Sequence, residues 1–170
     1  LRRPAARLRL PDETIRFEDG HYGRLEQNLT SECGDIILRR SDGVFAYQLA
    51  VVVDDIAMGV TQVVRGRDLL SSTPRQMYLY RLFGAEPPQY IHVPLLLAQD
   101  GRRLSKRERD LDIGALRAHG FTAQEIVGRI AYLAGLLPHP FPVRPKELLP
   151  LFSWEKVPKK DLMLPEDLFS

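Results

Sequence analysis

Five cations, Arg102, Arg103, Lys106, Arg107 and Arg109, fall within the eight positions of RRLSKRER. Clustered cations on a loop suit a polyphosphate, with Lys as a mobile point charge and Arg as a bidentate fork. Groups placed this way stabilise the charge that develops on a phosphate during transfer. The same run also reads as a solvated surface stretch, and the residues alone leave both readings open. Arg65 ends the apolar run GVTQVV. It can hold a carboxylate ligand, or form a structural ion pair with Asp54, Asp55 or Asp68, which is the more ordinary fate of such a residue. Tyr47, in an alternating run, can offer its hydroxyl to a ligand or serve as a core tyrosine. His21, His92, His119 and His139 show no metal-ligand spacing. Cys33 has no basic neighbour in sequence and reads as an inert thiol. Asp54 and Asp55, taken as adjacent strand residues, point to opposite faces and cannot share a proton. There is no GxGxxG and no Walker loop.

Positioning such groups takes an α/β framework, and the pattern is consistent with one. Residues 5–50 read as antiparallel strands: ARLRL up to Pro11-Asp12, then TIRF, then HYGRLEQN, then DIILRR turning at Ser41-Asp42-Gly43 into VFAYQLA. GVTQVV is a short buried strand. Thr73-Pro74-Arg75-Gln76 then opens a helix, with Thr73 as cap, Pro74 at the first helical position and Gln76 reaching back to the cap amide. Met77, Leu79, Tyr80, Leu82 and Phe83 supply its apolar positions and Gly84 its stop. IHVPLLLA is the next strand, which makes a βαβ unit of a parallel sheet. Pro94 argues against a central place or demands a bulge. The basic loop follows the carboxyl end of that strand, where open α/β sheets bind ligands. Beyond it lie the short helix DIGALRAHG and a capping box at Thr122 and Glu125, with Phe121 able to staple onto Ile126. An apolar stripe of Ile126, Val127, Ile130, Leu133, Ala134 and Leu137 follows. The tail from Pro138 holds seven of the 13 prolines and reads as short helices joined by stiff turns.

Composition narrows the classes. With 170 residues and 44% hydrophobic content the chain can bury a core, which excludes a disordered tail. A net charge of +2, from 24 Lys and Arg against 22 Asp and Glu, excludes a uniformly basic coat, so any basic site is local. One Cys excludes a disulfide framework and a Cys cluster within the chain and fits a reducing, cytoplasmic setting. No apolar run approaches the roughly 18 residues of a membrane span, so no membrane partner is expected. The N-terminus LRRPAARLRL lacks the apolar region of a secretory leader, and the absence of an initiating Met suggests a start inside a longer protein.

The order of motifs adds a further reading. SDGVFAYQLAVVVDD, GVTQVVRGRDLLSSTPRQMYLYRLFG, YIHVPLLL and DGRRLSKR, in that succession, closely resemble the class I glutamyl-tRNA synthetase family, over about residues 5–165. Within it the chain is most similar to the short branch that lacks an anticodon-binding domain, because it stops after Phe169-Ser170. The resemblance implies ATP-dependent activation of glutamate, with Mg2+ accompanying the ATP, and transfer to tRNA, with queuosine-bearing tRNA(Asp) the expected acceptor. It makes Arg103-Leu104-Ser105-Lys106-Arg107 the KMSKS-type ATP loop, with Lys106 and Arg103 catalytic, and makes Tyr47 and Arg65 the holders of glutamate. It implies an α/β fold in three parts: residues 1–41 as the end of the β-rich acceptor-binding insertion, 42–100 as the second half of a Rossmann-type catalytic domain, and 101–170 as the ATP loop and a helical stem-contact region. A cytoplasmic monomer is expected. Two other readings stand beside it: a tRNA(Glu) enzyme whose anticodon-binding domain lies outside this chain, and a non-catalytic tRNA-binding paralogue.

The chain departs from the family pattern in places. Val51 stands where discriminating members carry Asn, Arg67 where they carry an acid, and Arg103 where the loop usually begins with Lys. The HIGH motif is absent, and HYG at 21–23 is not a substitute. A zinc site, where the short branch has one, would use cysteines preceding residue 1. The expectation is therefore that residues 1–170 alone cannot form the adenylate.

Overall fold

The computed structural model describes residues 4–104, 112–165 and 168–169. The chain divides into two compact units, Leu1–His92 and Val93–Ser170.

In the first unit, β1 (Ala6–Leu8) pairs antiparallel with β4 (Ile36–Arg39), and between them β2 (Thr14–Asp19) and β3 (Gly23–Asn28) form a hairpin in register from Thr14 opposite Asn28 to Asp19 opposite Gly23. A π-helical turn over Leu29–Cys33 follows, and the Asn28 side chain accepts from Thr30 N and Ser31 N at its start. The Asp42-Gly43 turn forms as expected: Gly43 takes φ +90°, and Val44 N donates to Asp42 Oδ1 at 3.1 Å. The second arm of that hairpin does not. It amounts to one antiparallel bridge, Phe45 opposite Arg39, and the chain turns into α1 (Tyr47–Met58). Tyr47, Asp54 and Asp55 are thus helical and not strand residues. The Val51-Val52-Val53 run favours a strand locally, but Leu49, Val52 and Ile56 repeat at helical spacing, and packing of that stripe overrides the preference. Val52 is buried in the core with Leu10, Leu29, Ile36, Leu79 and Tyr80, and Val51 and Ile56 pack against it. Gly59 closes the helix in the left-handed conformation, its N–H donating to Asp55 O and Ile56 O.

β5 (Gln62–Gly66) neighbours β6 (Gln89–Val93) in a two-stranded sheet. Val63 of β5 is half-buried and Val64 is exposed, so the strand is less buried than its composition suggests. Between the two strands a 3-10 stretch over Arg67–Ser72 runs directly into α2 (Thr73–Leu82). The expected cap at Thr73 is therefore absent: Ser72 precedes the helix with helical backbone angles, and no side chain caps it. Leu79 and Tyr80 are buried, whereas Leu82 and Phe83 are exposed. Tyr80 ties α2 to α1 through a 3.5 Å hydrogen bond from its hydroxyl to Asp55 Oδ2, and burial with the nearby carboxylate pushes it up to about 12.

In the second unit Pro94 interrupts the extended run, and β7 (Leu96–Leu97) pairs parallel with β8 (Leu162–Met163). That return strand, from a tail expected to hold only helices and turns, is fastened by Leu162 N to Leu95 O at 2.9 Å and Leu164 N to Leu97 O at 2.8 Å. α3 (Ile113–Ala118) is capped by Asp112, and α4 (Ala123–Leu133) carries the expected capping box of Thr122 and Glu125. α5 (Pro145–Leu148) follows. The buried face of α4 is centred on Ile126, Gly128 and Ala131, and Ile130 is exposed. Small residues at 128 and 131 let the segment around Phe141 approach, and Val143 N donates to Gln124 O at 3.1 Å. Ala131, Leu137 and Val143 form the core there. Among the described residues no helix is long and apolar enough to cross a membrane.

A Cβ at position 128 would lie 1.8 Å from the carbonyl oxygen of Phe141. Gly128→Ala is therefore expected to destabilise the protein by about 1–3 kcal/mol, the usual cost of overpacking against a fixed neighbour. Chemical denaturation checks this.

Candidate active site

Strand β5 delivers Arg65 to a half-buried position where its guanidinium is held on nearly every side. Nε donates to His92 Nε2 at 2.9 Å, Nη1 to Gln76 Oε1 at 2.8 Å, and Nη2 to Thr73 Oγ1 at 2.8 Å and to Leu69 O at 3.2 Å. The Tyr90 ring lies under the guanidinium carbon at 4.9 Å. A guanidinium has five N–H donors. Four are used, and one N–H of Nη1 has no acceptor among the described residues. None of the four acceptors is a carboxylate. The ion pair with Asp54, Asp55 or Asp68 that the sequence allows is not made. Burial pulls Arg65 below the usual arginine range, and the nearby Tyr90, Tyr47, Asp55 and Asp68 oppose that. Arginine stays charged regardless, so a half-buried cation stands here without a directly bonded counter-charge among the described residues.

The acceptors come from both ends of the α2 crossover. Thr73 and Gln76, which the sequence pattern assigns to a helix cap, are buried and turned to Arg65. Gln76 Nε2 donates on to Gln48 Oε1 at 2.8 Å, and Gln48 Nε2 to Ser72 Oγ at 3.0 Å, which ties α1 into the same ladder. Strand alternation sets Tyr90 and His92 on one side of β6, their rings near parallel with centroids 6.2 Å apart. His92 Nδ1 meets Asp19 Oδ2 at 2.6 Å, with both side chains fully buried. Asp19 Oδ1 also accepts from His21 N, Tyr22 N and His92 N at 3.0, 2.9 and 3.3 Å. Burial raises the Asp19 carboxyl, but the His92 hydrogen bond and those backbone amides outweigh it and hold it below the usual carboxylate range. Burial likewise pulls His92 below the usual histidine range, against the opposing Asp19 carboxylate.

Tyr47 stands in the first turn of α1, 54% exposed, and is near enough to influence Arg65 electrostatically. A core role for it is thus excluded. Asp19, Gln48, Thr73, Gln76 and His92 form the site around Arg65, and sequence reasoning passed over all five. The available signal was His92, a polar residue inside the apolar run YIHV, two positions from Tyr90.

In the second unit the Asp100-Gly101 turn places Arg103 opposite Leu97 in an antiparallel bridge, with Ala98 N donating to Arg102 O at 2.9 Å. Arg102 Nε donates to Asp100 Oδ2 at 3.0 Å. Arg103 and Leu104 are the described part of the expected ATP loop. Ser105, Lys106 and Arg107 lie outside the described residues.

The family model for class I tRNA synthetases (E and Q), catalytic domain, matches residues 2–139. A glutamyl-Q tRNA(Asp) synthetase of Nitratidesulfovibrio vulgaris is 57% identical over 167 residues, covering 98% of this chain and 52% of that protein. One from Symbiobacterium thermophilum is 47% identical over 164 residues, covering 96% and 50%. The chain thus spans about half the length of these curated relatives. Among solved structures, a glutamate tRNA ligase from Elizabethkingia meningosepticum, crystallised in complex with its amino acid, superposes with a TM-score of 0.75 at 25% identity, over 93% of this chain and 35% of that one.

His92 titrates below its ordinary 6.5 in the native protein. On acidification through that value the unfolded chain takes up a proton that the native chain does not, so stability falls. The lowered Asp19 carboxyl adds a second loss, as pH drops through its folded value. Stability measured between about pH 7 and pH 5 is expected to decline in the wild type and to decline less steeply in His92→Gln.

Proposed function

The chain belongs to the class I tRNA synthetases of the glutamate and glutamine type, and we propose that it carries the glutamate-holding strand and the ATP loop of an enzyme that charges tRNA with glutamate. The activity would belong to a polypeptide that also contains the counterpart of the half of its relatives that this chain does not span. The observation that carries the reading is Arg65: a half-buried guanidinium bonded to neutral acceptors, with one N–H left over among the described residues. A carboxylate ligand supplies both the missing acceptor and the missing charge.

In this reading Arg65 donates its remaining Nη1–H to a glutamate carboxylate, and the exposed Tyr47 hydroxyl adds a second hydrogen bond. The other carboxylate of the amino acid attacks the α-phosphorus of ATP, forming a phosphorus–oxygen bond as pyrophosphate leaves. Lys106 and Arg103, in the loop with Leu104, Ser105 and Arg107, hold the phosphates and neutralise their charge. A tRNA hydroxyl then attacks the activated acyl carbon and AMP departs. Catalysis is positioning plus electrostatics, with no covalent enzyme intermediate. ATP in this family is used with Mg2+. Among the described residues no three of His, Cys, Asp or Glu gather as metal ligands; the ion would ride on the phosphates.

Queuosine-bearing tRNA(Asp) is the proposed acceptor, supported by the similarity to relatives of that name, and the enzyme is proposed to act in the cytoplasm as a monomer. Arg65→Gln in the complete polypeptide is expected to lower kcat/KM for glutamate in ATP–pyrophosphate exchange by about a hundredfold, the loss of a charged hydrogen bond at a half-buried site. Preference for another amino acid would refute the substrate. Lys106→Ala is expected to abolish exchange while leaving tRNA affinity largely intact, and unchanged exchange would refute the role given to Lys106. Glutamylation of tRNA(Glu) in place of tRNA(Asp) would refute the acceptor.

A further inference from the structure

The Asp19–His92 pair admits only one arrangement of hydrogens. An ionised carboxylate only accepts and a guanidinium only donates. Asp19 Oδ2 lies 2.6 Å from His92 Nδ1, so that nitrogen carries the hydrogen. Arg65 Nε donates to His92 Nε2 at 2.9 Å, so that nitrogen is bare. The Thr73 hydroxyl, 3.4 Å from the same nitrogen, already accepts from Arg65 Nη2 and has its own hydrogen to offer. Protonated imidazolium would set N–H against N–H at Arg65.

We propose that Asp19 and His92 are positioning residues for amino-acid binding: Asp19 locks the imidazole as the Nδ1–H tautomer, and the bare Nε2 then fixes the edge and rotation of the Arg65 guanidinium so that its last Nη1–H points at the substrate carboxylate. The pair also places one negative charge a single neutral ring away from the cation, which offsets its burial without occupying the N–H needed by the ligand. Asp19 belongs to the β2–β3 hairpin, far in sequence from the α2 crossover. The backbone amides of His21, Tyr22 and His92 clamp the carboxylate in place, so the orientation is inherited from the fold and not from the ligand. This inference rests on the substrate role given to Arg65 above.

Asp19→Asn separates positioning from structure. Asn keeps an oxygen for the three backbone amides but presents an NH2 to His92. The imidazole must then accept at Nδ1 and carry its hydrogen on Nε2, facing the Arg65 donor. This is the tautomer logic by which Asp-to-Asn changes disable a His-containing triad. In the complete polypeptide, Asp19→Asn is expected to raise KM for glutamate about tenfold or more while KM for ATP stays near the wild-type value. In an Asp19→Asn/His92→Gln double variant the Gln amide oxygen can take the place of Nε2 without any tautomer, and KM for glutamate is expected to recover toward wild type. Imidazole 15N shifts of the folded chain should show Nδ1–H and bare Nε2 in the wild type and the reverse in Asp19→Asn. Additive losses in the double variant, equal effects on both substrates, or a wild-type Nε2–H tautomer would overturn the proposal. If the wild-type enzyme activates a different amino acid, the functional reading fails, and the 15N shifts together with KM for that amino acid still decide the positioning role. Should Asp19→Asn not fold, His92→Gln alone, retaining the acceptor, is expected to bind glutamate better than His92→Phe, and equal binding would overturn the proposal.

Discussion

A half-buried guanidinium with no directly bonded carboxylate among the described residues is the constraint around which the first unit is built. Leaving such a charge without hydrogen bonds would be costly. The chain meets the cost with neutral acceptors from four places: a strand histidine, a helix-terminal threonine, a buried glutamine and a 3-10 carbonyl. A carboxylate acceptor would have been simpler energetically, but it would leave no charge for the proposed ligand to neutralise. Asp55 and Asp68 are near enough to influence Arg65, yet neither bonds to it.

This arrangement explains otherwise awkward local choices. Running a 3-10 stretch straight into α2 forgoes a helix cap worth about 1 kcal/mol, and in exchange frees Thr73 and Gln76 to face Arg65. A histidine in a buried strand position carries a desolvation cost, which Asp19 and the donated hydrogen from Arg65 offset. Gln48 fills no core position, but it links α1, and hence the helix that presents Tyr47, to the same ladder.

Much of this was legible in the sequence where one physical rule acted alone. The Asp42-Gly43 turn, the Thr122–Glu125 capping box, the stop at Gly84 and the break at Pro94 each follow from local chemistry, and each is present. Legibility failed where tertiary packing or the hydrogen-bond demand of Arg65 outvoted the local signal. Val51-Val52-Val53 looks like a strand and is helical because its stripe packs on α2 and β4. Thr73-Pro-Arg-Gln76 looks like a capping box because the residues that cap helices also accept hydrogen bonds from arginine. Arg65 stands out in the sequence by ending the apolar run GVTQVV, but its support does not, since Asp19 and His92 are 73 positions apart. The short β8 strand has no period long enough to read.

The most direct test is a structure of the complete polypeptide with glutamate bound. The account requires one carboxylate oxygen of the amino acid about 2.9 Å from Nη1 of Arg65, with Nε still seated on His92. Glutamate bound away from Arg65, or a guanidinium swung onto Asp55 or Asp68, would contradict it.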